Sequence, residues 1–192
     1  MRAFLDGQRV AIKSTIFKAD LQVADLDRGH FADYALTIAR HPSETDERMM
    51  VRLLAFALNA SPDLSFGRGL STEDEADLME VDPTGAIEAW IDVGLPDEKA
   101  IRRAANRSRR MVVVSYGGRG AEIWWQQTAP KVSGLRNLTV LALEPAASQA
   151  LGALAERTMR LQCTIQDGTV WLGGAAGDLE ITPRPLLLPG AA

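Results

Sequence analysis

The amino-acid sequence predicts an α/β fold, a single domain with a mixed central sheet flanked by helices. Three observations lead to this prediction. Segments with the pattern of a strand alternate along the chain with segments of helical periodicity. The second half follows the order β-α-β-α-β, which favours parallel pairing there. No repeat, long linker or low-complexity stretch interrupts the 192 residues, so we expect one domain over residues 1–192.

Composition and charge are those of an ordinary globular domain. Apolar residues make up 46% and charged residues 24%, which excludes a wholly disordered or fibrous protein. The net charge of −4 means that any binding to nucleic acid needs a local basic patch. Cys163 is the only cysteine, which excludes an internal disulfide and favours a reducing compartment. Residues 1–10 mix charged and apolar side chains unlike a signal peptide or membrane span, so we expect a cytoplasmic protein.

The first elements are predicted from alternation, periodicity and capping residues. Residues 13–24 alternate as a strand, and apolar side chains at helical spacing predict a helix over residues 31–39. Ser43 or Thr45 is expected to cap a second helix, which carries acids in its first turn and runs to about Leu58.

A hairpin is predicted around the turn from Asp82 to Gly85. A short strand over residues 64–70 and the acidic stretch over 73–77 precede it. Residues 78–81 lead into the turn, and residues 86–93 alternate between apolar and polar side chains as a strand does.

Turn residues and periodicity also divide the second half of the chain. Pro96 and the acids that follow it mark a helix start, and Asp167-Gly168 marks a hairpin turn. The predicted elements are helices to about Ser108, over 121–128 and over 146–157, strands over 111–116 and 138–143, and hairpin strands over 161–166 and 169–172. The tail beyond Pro183 is expected to be a loop.

Glu47 is the first candidate for a functional side chain. On the second helix it aligns with the apolar stripe expected to face the core, whereas Glu44, Arg48 and Arg52 form another stripe. A carboxylate among core residues must be paired, bind a metal or sit at the exposed end of the stripe. Glu47 is therefore either part of a site or a first-turn acid that the helix dipole favours.

Three acids are predicted to share one face of the hairpin. A regular turn places Glu75 opposite Asp92 and Asp77 opposite Trp90. Carboxylates opposed on a sheet repel one another, so such a cluster suits a divalent cation with oxygen ligands. The alternative is a solvated acidic surface, and a slip of one residue would break the alignment.

The helix after Pro96 carries a compact basic patch. Its members are Lys99, Arg102, Arg103, Arg107, Arg109 and Arg110, with no acid among them. Beside an acidic pocket, this patch suits the phosphate backbone of a nucleic acid. The alternative is that these residues serve the helix dipole and solubility.

Other catalytic classes find little support. His30 and His41 are the only histidines, and neither lies in the setting of a general base, so we do not predict a nucleophilic triad. The chain has no P-loop and no glycine fingerprint after a strand, so a nucleotide site is not indicated.

Four long strings of the sequence resemble the YaeQ family, and together they span nearly the whole chain. They are LTIARHPSET at 36–45, GLPDE at 94–98, IWWQQ at 123–127 and TIQDG at 164–168. The family is similar in fold to the PD-(D/E)xK nucleases, which share a helix-bound Glu, a strand Asp and an acid-x-Lys on the next strand. The resemblance therefore implies a restriction-endonuclease-like core.

Carried over residue by residue, the nuclease pattern implies a set of acids. Glu47 matches the helix acid, Asp77 the first strand acid with Glu75 as its competitor, and Asp92 the acid of the acid-x-Lys strand. If the activity is retained, these four side chains are the expected ligands of Mg²⁺. Gly94 stands at the lysine position, where the family of nucleases has a residue that stabilises charge or activates water.

Two hypotheses follow for the function. Gly94 favours a non-catalytic module that binds nucleic acid or protein through this surface. The alternative is a Mg²⁺-dependent phosphodiesterase acting on nucleic acid, in which Lys99 reaches back into the site and Gln126 adds a polar contact. The stretch from Lys99 to Arg110 is the expected nucleic-acid contact, and no membrane partner is expected.

Overall fold

The computed structural model describes residues 14–67 and 75–190, and these contain eleven strands and four helices. The strands are β1 (Thr15–Asp25), β2 (His30–Arg40), β3 (Leu64–Phe66), β4 (Leu78–Val81), β5 (Ile87–Val93), β6 (Ser108–Ser115), β7 (Leu138–Ala142), β8 (Thr158–Gln166), β9 (Thr169–Gly174), β10 (Gly177–Ile181) and β11 (Arg184–Leu187). The helices are α1 (Asp46–Leu58), α2 (Glu98–Arg107), α3 (Arg119–Val132) and α4 (Pro145–Ala153). The first ten residues, the end of the strand predicted over 64–70 and the acids at 73 and 74 lie outside the described residues.

The α/β class is confirmed, but two sheets replace the single central sheet that the sequence predicts. The first sheet has the strand order β10-β9-β8-β1-β2, and the second has the order β11-β7-β6-β5-β4-β3. Both sheets are mixed, since β1 runs parallel to β8 and β6 runs parallel to β5 and β7, whereas the other neighbours are antiparallel. The strands cannot join into one sheet because the apolar side chains of α1 and α4 pack between them.

Helix α1 forms the centre of the larger core. Its residues from Met49 to Ala57 are all buried, because one apolar cluster joins α1 and α4 to both sheets. A second cluster joins α2 and α3 to the opposite face of the second sheet. Strand β6 contributes alternate side chains to the two clusters, with Val112 and Val114 in the first and Met111 and Val113 in the second. The layers are therefore sheet, helices, sheet and helices.

Strand β2 occupies the segment for which the sequence predicts a helix over residues 31–39. It pairs antiparallel with β1 along its whole length, from Thr15 opposite Arg40 to Asp25 opposite His30. Ile38 points into the core, while Phe31 is 67% exposed. The apolar spacing of so short a segment fits both a helix and a strand, and pairing with β1 decides between them.

Several other predicted elements are confirmed. Helix α1 begins after Thr45, whose hydroxyl oxygen accepts the N–H of Arg48 at 3.1 Å as an N-cap does. The hairpin of β8 and β9 turns at Asp167 and Gly168, both at positive φ. The tail is not a loop, because β11 pairs with β7. Its Pro185 is tolerated because β11 lies at the edge of the sheet.

Candidate functional site

A cavity of about 350 Å³ opens where β5 ends and α2 begins. Its charged lining comprises Arg48, Glu75, Asp77, Asp92, Asp97 and Arg103. Much of the remaining lining is apolar, including Trp90 and Leu95. Three of the four acids predicted from the sequence therefore line the same cavity, namely Glu75, Asp77 and Asp92.

The hairpin of β4 and β5 has a different register from the predicted one. Val81 lies opposite Ile87, and a bulge between Glu80 and Val81 adds a further residue, so that Met79 lies opposite Trp90. Side chains alternate along a strand, so this total shift of two residues leaves each side chain on its predicted face. The predicted pairing of Glu75 with Asp92 and of Asp77 with Trp90 is wrong, and Asp77 comes next to Asp92 instead.

Arg48 of α1 holds Asp77 in a buried ion pair. Its Nη2 donates to Oδ1 and Oδ2 of Asp77 at 2.7 and 2.9 Å, and its Nη1 donates to Oε1 of Glu44 at 2.8 Å. The backbone N–H of Val93 donates to Oδ2 of Asp77 at 2.8 Å. Burial by itself would lower the pKa of Arg48, but the two carboxylates raise it above its ordinary value. Asp77, which is only 4% exposed, thus accepts hydrogen bonds on both of its carboxylate oxygens.

Glu44 also binds Arg52, whose side chain has no exposed surface. Nε and Nη2 of Arg52 donate to Oε1 and Oε2 of Glu44, each at 2.8 Å. The same Nη2 donates to the carbonyl oxygen of Ala39 at 2.8 Å. The network therefore runs from the end of β2 through α1 to the start of β4, and it fixes the position of Asp77 from behind the cavity.

Asp92 of β5 titrates near neutral pH. The indole Nε1 of Trp90 donates to Oδ1 of Asp92 at 3.0 Å, and the backbone N–H of Asp77 also bonds this carboxyl. Burial, followed by the negative charge of Asp77, raises the pKa of Asp92 to about 7, although Trp90 and Arg48 act in the opposite direction. A cation that enters the cavity would relieve this unfavourable charge.

Glu47, Lys99 and Gln126 do not line this cavity. Glu47 faces α4, where the hydroxyl of Ser148 donates to its Oε1 at 2.6 Å. Lys99 is exposed on α2, and Gln126 is exposed on α3 beside a different cavity. The structure therefore brings together three of the predicted site residues and places the other three elsewhere.

Neighbouring acids form ion pairs with several arginines of the predicted basic patch and so reduce its positive charge. Its ion pairs are Arg102 with Glu98 at 2.9 Å, Arg109 with Glu88 at 3.2 Å and Arg110 with Glu80 at 3.6 Å. The guanidinium of Arg107 lies over the ring of Trp90, 5.4 Å from its centroid. These contacts reduce the positive field that a phosphate backbone would meet.

The sequence interpretation missed Arg48 and Glu44 as parts of the site. The signal was present, because Glu44, Arg48 and Arg52 follow one another at spacings of four, which aligns them on a helix. What the spacing does not show is that this stripe turns towards Asp77, which lies 29 residues further along the chain.

The described residues contain neither a metal-binding cluster nor a membrane-spanning helix. Within 14–67 and 75–190, no group of three or more His, Cys, Asp or Glu side chains is arranged to hold a metal ion. Both carboxylate oxygens of Asp77 accept hydrogen bonds from Arg48. Over the same part of the chain, every helix is too short or too polar to span a membrane.

Sequence comparison relates the chain to proteins of one kind. The family model described as "YaeQ protein" matches residues 10–183. A protein of Salmonella typhi called "Uncharacterized protein YaeQ" is 48% identical over 172 residues, which is 90% of this chain and 95% of that protein. The protein of the same name from Escherichia coli is 45% identical over the same shares of the two chains.

Two crystal structures are similar in fold. The YaeQ protein from Xanthomonas axonopodis pv. citri has a TM-score of 0.89 at 50% identity, covering 92% of this chain and 99% of that one. The YaeQ protein from Pseudomonas syringae has a TM-score of 0.87 at 35% identity, covering 91% and 97% of the two chains. The similarity therefore extends over nearly the full length of each relative.

Proposed function

We propose that this chain, which belongs to the YaeQ family, is a non-catalytic binding module that takes a basic side chain of a protein partner into its acidic cavity. One observation carries the proposal: Arg48 binds both oxygens of Asp77, the acid that the nuclease resemblance assigns to a metal. An arginine in this position replaces the cation that a nuclease site would recruit.

The position of the missing lysine supports a non-catalytic role. Gly94 has a φ of 108°, a backbone conformation that side-chain-bearing residues rarely adopt. A lysine at this point would be strained, and Lys99 does not line the cavity. Neither position 94 nor Lys99 therefore supplies the cavity with an ammonium group for charge stabilisation.

The charges of the cavity favour a basic partner. Four acids and two arginines line it, and one of the arginines, Arg48, is bound to Glu44 and Asp77. Asp92 and Asp97 lie near the apolar side chain of Leu95, which is 42% exposed. A lysine or arginine from a protein would meet opposite charge at its head and apolar surface along its stem.

A protein partner fits better than a nucleic acid. A polyanion would approach four carboxylates at the cavity, and several of the arginines beside it are already paired with acids. The lone buried Cys163 adds the expectation of a reducing compartment, so we place the partner in the cytoplasm.

A second candidate function is a Mg²⁺-dependent phosphodiesterase with a restriction-endonuclease-like core. It is favoured by the juxtaposition of Asp77, which directly precedes β4, with Asp92 on the neighbouring strand β5. For this function Arg48 must release Asp77 when the metal binds, and Glu75 and Asp97 are the further carboxylates of the cavity.

The test uses blocked peptides that contain a central lysine or arginine. We expect them to shift the indole N–H resonance of Trp90, because this group is bonded to Asp92 inside the cavity. Asp92→Ala should abolish the shift, whereas Asp63→Ala, at an exposed acid ahead of β3, should preserve it. If peptides with central glutamine give the same shift, basic recognition is refuted.

Calorimetry of Mg²⁺ and Mn²⁺ separates the two candidate functions. The binding-module proposal expects no metal binding at millimolar concentration in the wild type. Tight binding that is lost in Asp92→Ala would instead favour the phosphodiesterase and justify a nuclease screen.

A further inference from the structure

A second cavity lies at the carboxyl ends of β6 and β7. These parallel strands end side by side, with Ser115 opposite Ala142. The chain leaves β6 into α3, which packs on one face of the sheet, and it leaves β7 into α4, which packs with α1 on the other face. Neighbouring parallel strands whose connections go to opposite faces leave a crevice between them, and ligands of α/β proteins bind in such crevices.

The cavity in this crevice has a volume of about 260 Å³ and shares no lining residue with the Asp77–Asp92 cavity. Its apolar lining includes Trp125, Leu143 and Leu186. An apolar wall with a few polar groups is the usual composition of a small-molecule site. The volume is suited to a ligand of a few heavy atoms up to about the size of an amino acid.

Three charged side chains line the same cavity: Glu122 on α3, Glu144 before α4 and Arg184 on β11. Within the described residues, none of the three forms an ion pair or a side-chain hydrogen bond. By contrast, Arg102, Arg109 and Arg110 of the other surface are all paired. Two carboxylates and a guanidinium around one apolar crevice are complementary to a molecule that carries both charges.

We propose that this cavity binds a small zwitterion, an α-amino acid with an apolar side chain. Glu122 and Glu144 accept hydrogen bonds from its ammonium group, and Arg184 donates to its carboxylate. The apolar side chain packs on Trp125 and Leu143. This site is independent of the protein-binding function proposed above, because the two cavities share no residue.

Calorimetric titration with L-leucine and two blocked forms tests this proposal. Leucine amide lacks the carboxylate, and N-acetyl-leucine lacks the ammonium group. We expect L-leucine to bind, and each blocked form to bind about tenfold more weakly or worse, because each loses a charged hydrogen bond. Equal binding of all three compounds, or no binding of L-leucine or L-phenylalanine at millimolar concentration, would overturn the proposal.

Matched variants test which side chain binds which charged group of the amino acid. Arg184→Gln should weaken the binding of L-leucine more than that of leucine amide, and Glu144→Gln should weaken L-leucine more than N-acetyl-leucine. Glu156→Gln, at an exposed acid outside the cavity, serves as the control and should bind as the wild type does. The altered side chains are exposed, so thermal unfolding without ligand should show that each variant is folded. Variants that are folded yet bind all three compounds like the wild type would refute the assignment.

Discussion

Arg48 and Asp77 show how a single ion pair can define a cavity. The side chain of Arg48 is 18% exposed, and the side chains of Glu44 and Asp77 are 2% and 3% exposed. Charges this far from water are tolerated only when their partners remain in place, because an uncompensated buried charge is costly. The pair therefore matters to the free energy of unfolding as well as to the chemistry of the cavity.

Arg48→Met should lower the free energy of unfolding by about 3–5 kcal/mol, because it leaves Asp77 buried without its cation, although Glu44 keeps its pair with Arg52. Urea denaturation measures the effect. Arg102→Met is the matched control, since Arg102 is 47% exposed and its pair with Glu98 should contribute no more than about 1 kcal/mol. Similar decreases in the free energy of unfolding of both variants would show that the buried pair stabilises the protein no more than an exposed pair does.

The raised pKa of Asp92 should make stability depend on pH. The pKa of the Asp92 carboxyl rises from 3.8 in the unfolded chain to about 7 in the folded protein, so folding favours the protonated form of this carboxyl. This contribution is fully present below the unfolded pKa and is lost as the pH rises through about 7. The difference corresponds to a free energy on the order of 4 kcal/mol.

Denaturation midpoints between about pH 5 and about pH 9 should therefore fall in the wild type and fall much less in Asp92→Asn. Asp63→Asn, which changes an exposed acid, should follow the wild type. The assignment fails if Asp92→Asn keeps the full pH dependence.

Helices α1 and α4 pack closely against each other where Gly152 meets Glu47. At Gly152 of α4, an added Cβ would lie 3.0 Å from the Cα of Glu47 and 3.1 Å from its backbone nitrogen. This close approach brings Ser148 to the carboxylate of Glu47, which explains why Glu47 points to α4 and away from the acidic cavity. The first-turn position of Glu47 was predictable, but its partner was not.

Gly152→Ala should destabilise the protein by about 1–3 kcal/mol, because the new methyl group meets backbone atoms that cannot swing aside. Gly120→Ala in α3 is the matched control. Nothing lies within 4 Å of its Cβ, so the higher helix propensity of alanine should leave stability equal or slightly higher. Thermal unfolding of both variants measures the difference, and a neutral Gly152→Ala would contradict close packing.

At the scale of the whole molecule, the buried helix α1 lies between the two sheets and contacts both. Phe56 of α1 packs edge-on against Tyr34 of the first sheet and stacks on Phe66 of the second, at centroid distances of 5.0 and 5.4 Å. A helix that is buried on all sides cannot leave one sheet without exposing apolar surface on the other. Both sheets should therefore unfold in one transition.

Tryptophans report on the two sheets separately. Among the four, only Trp171 lies in the first sheet, and Trp90 lies in the second. In a variant that retains either one, the urea midpoint by fluorescence should match the midpoint by circular dichroism of the same variant. Phe56→Ala should lower both midpoints together, at a cost of about 3–5 kcal/mol. Separate midpoints would show that the sheets unfold independently.

The sequence by itself determined what depends on neighbours along the chain: the cap and length of α1, the hairpin turn at Asp167 and Gly168, the helices α2 to α4 and the strands β6 to β9. It also brought Asp77 and Asp92 to one face, because a shift of two residues preserves the alternation of a strand. Tertiary structure decided the strand at β2, the division into two sheets and the pairing of Arg48 with Asp77. These features depend on contacts between distant segments, whose energies are absent from any local window of sequence.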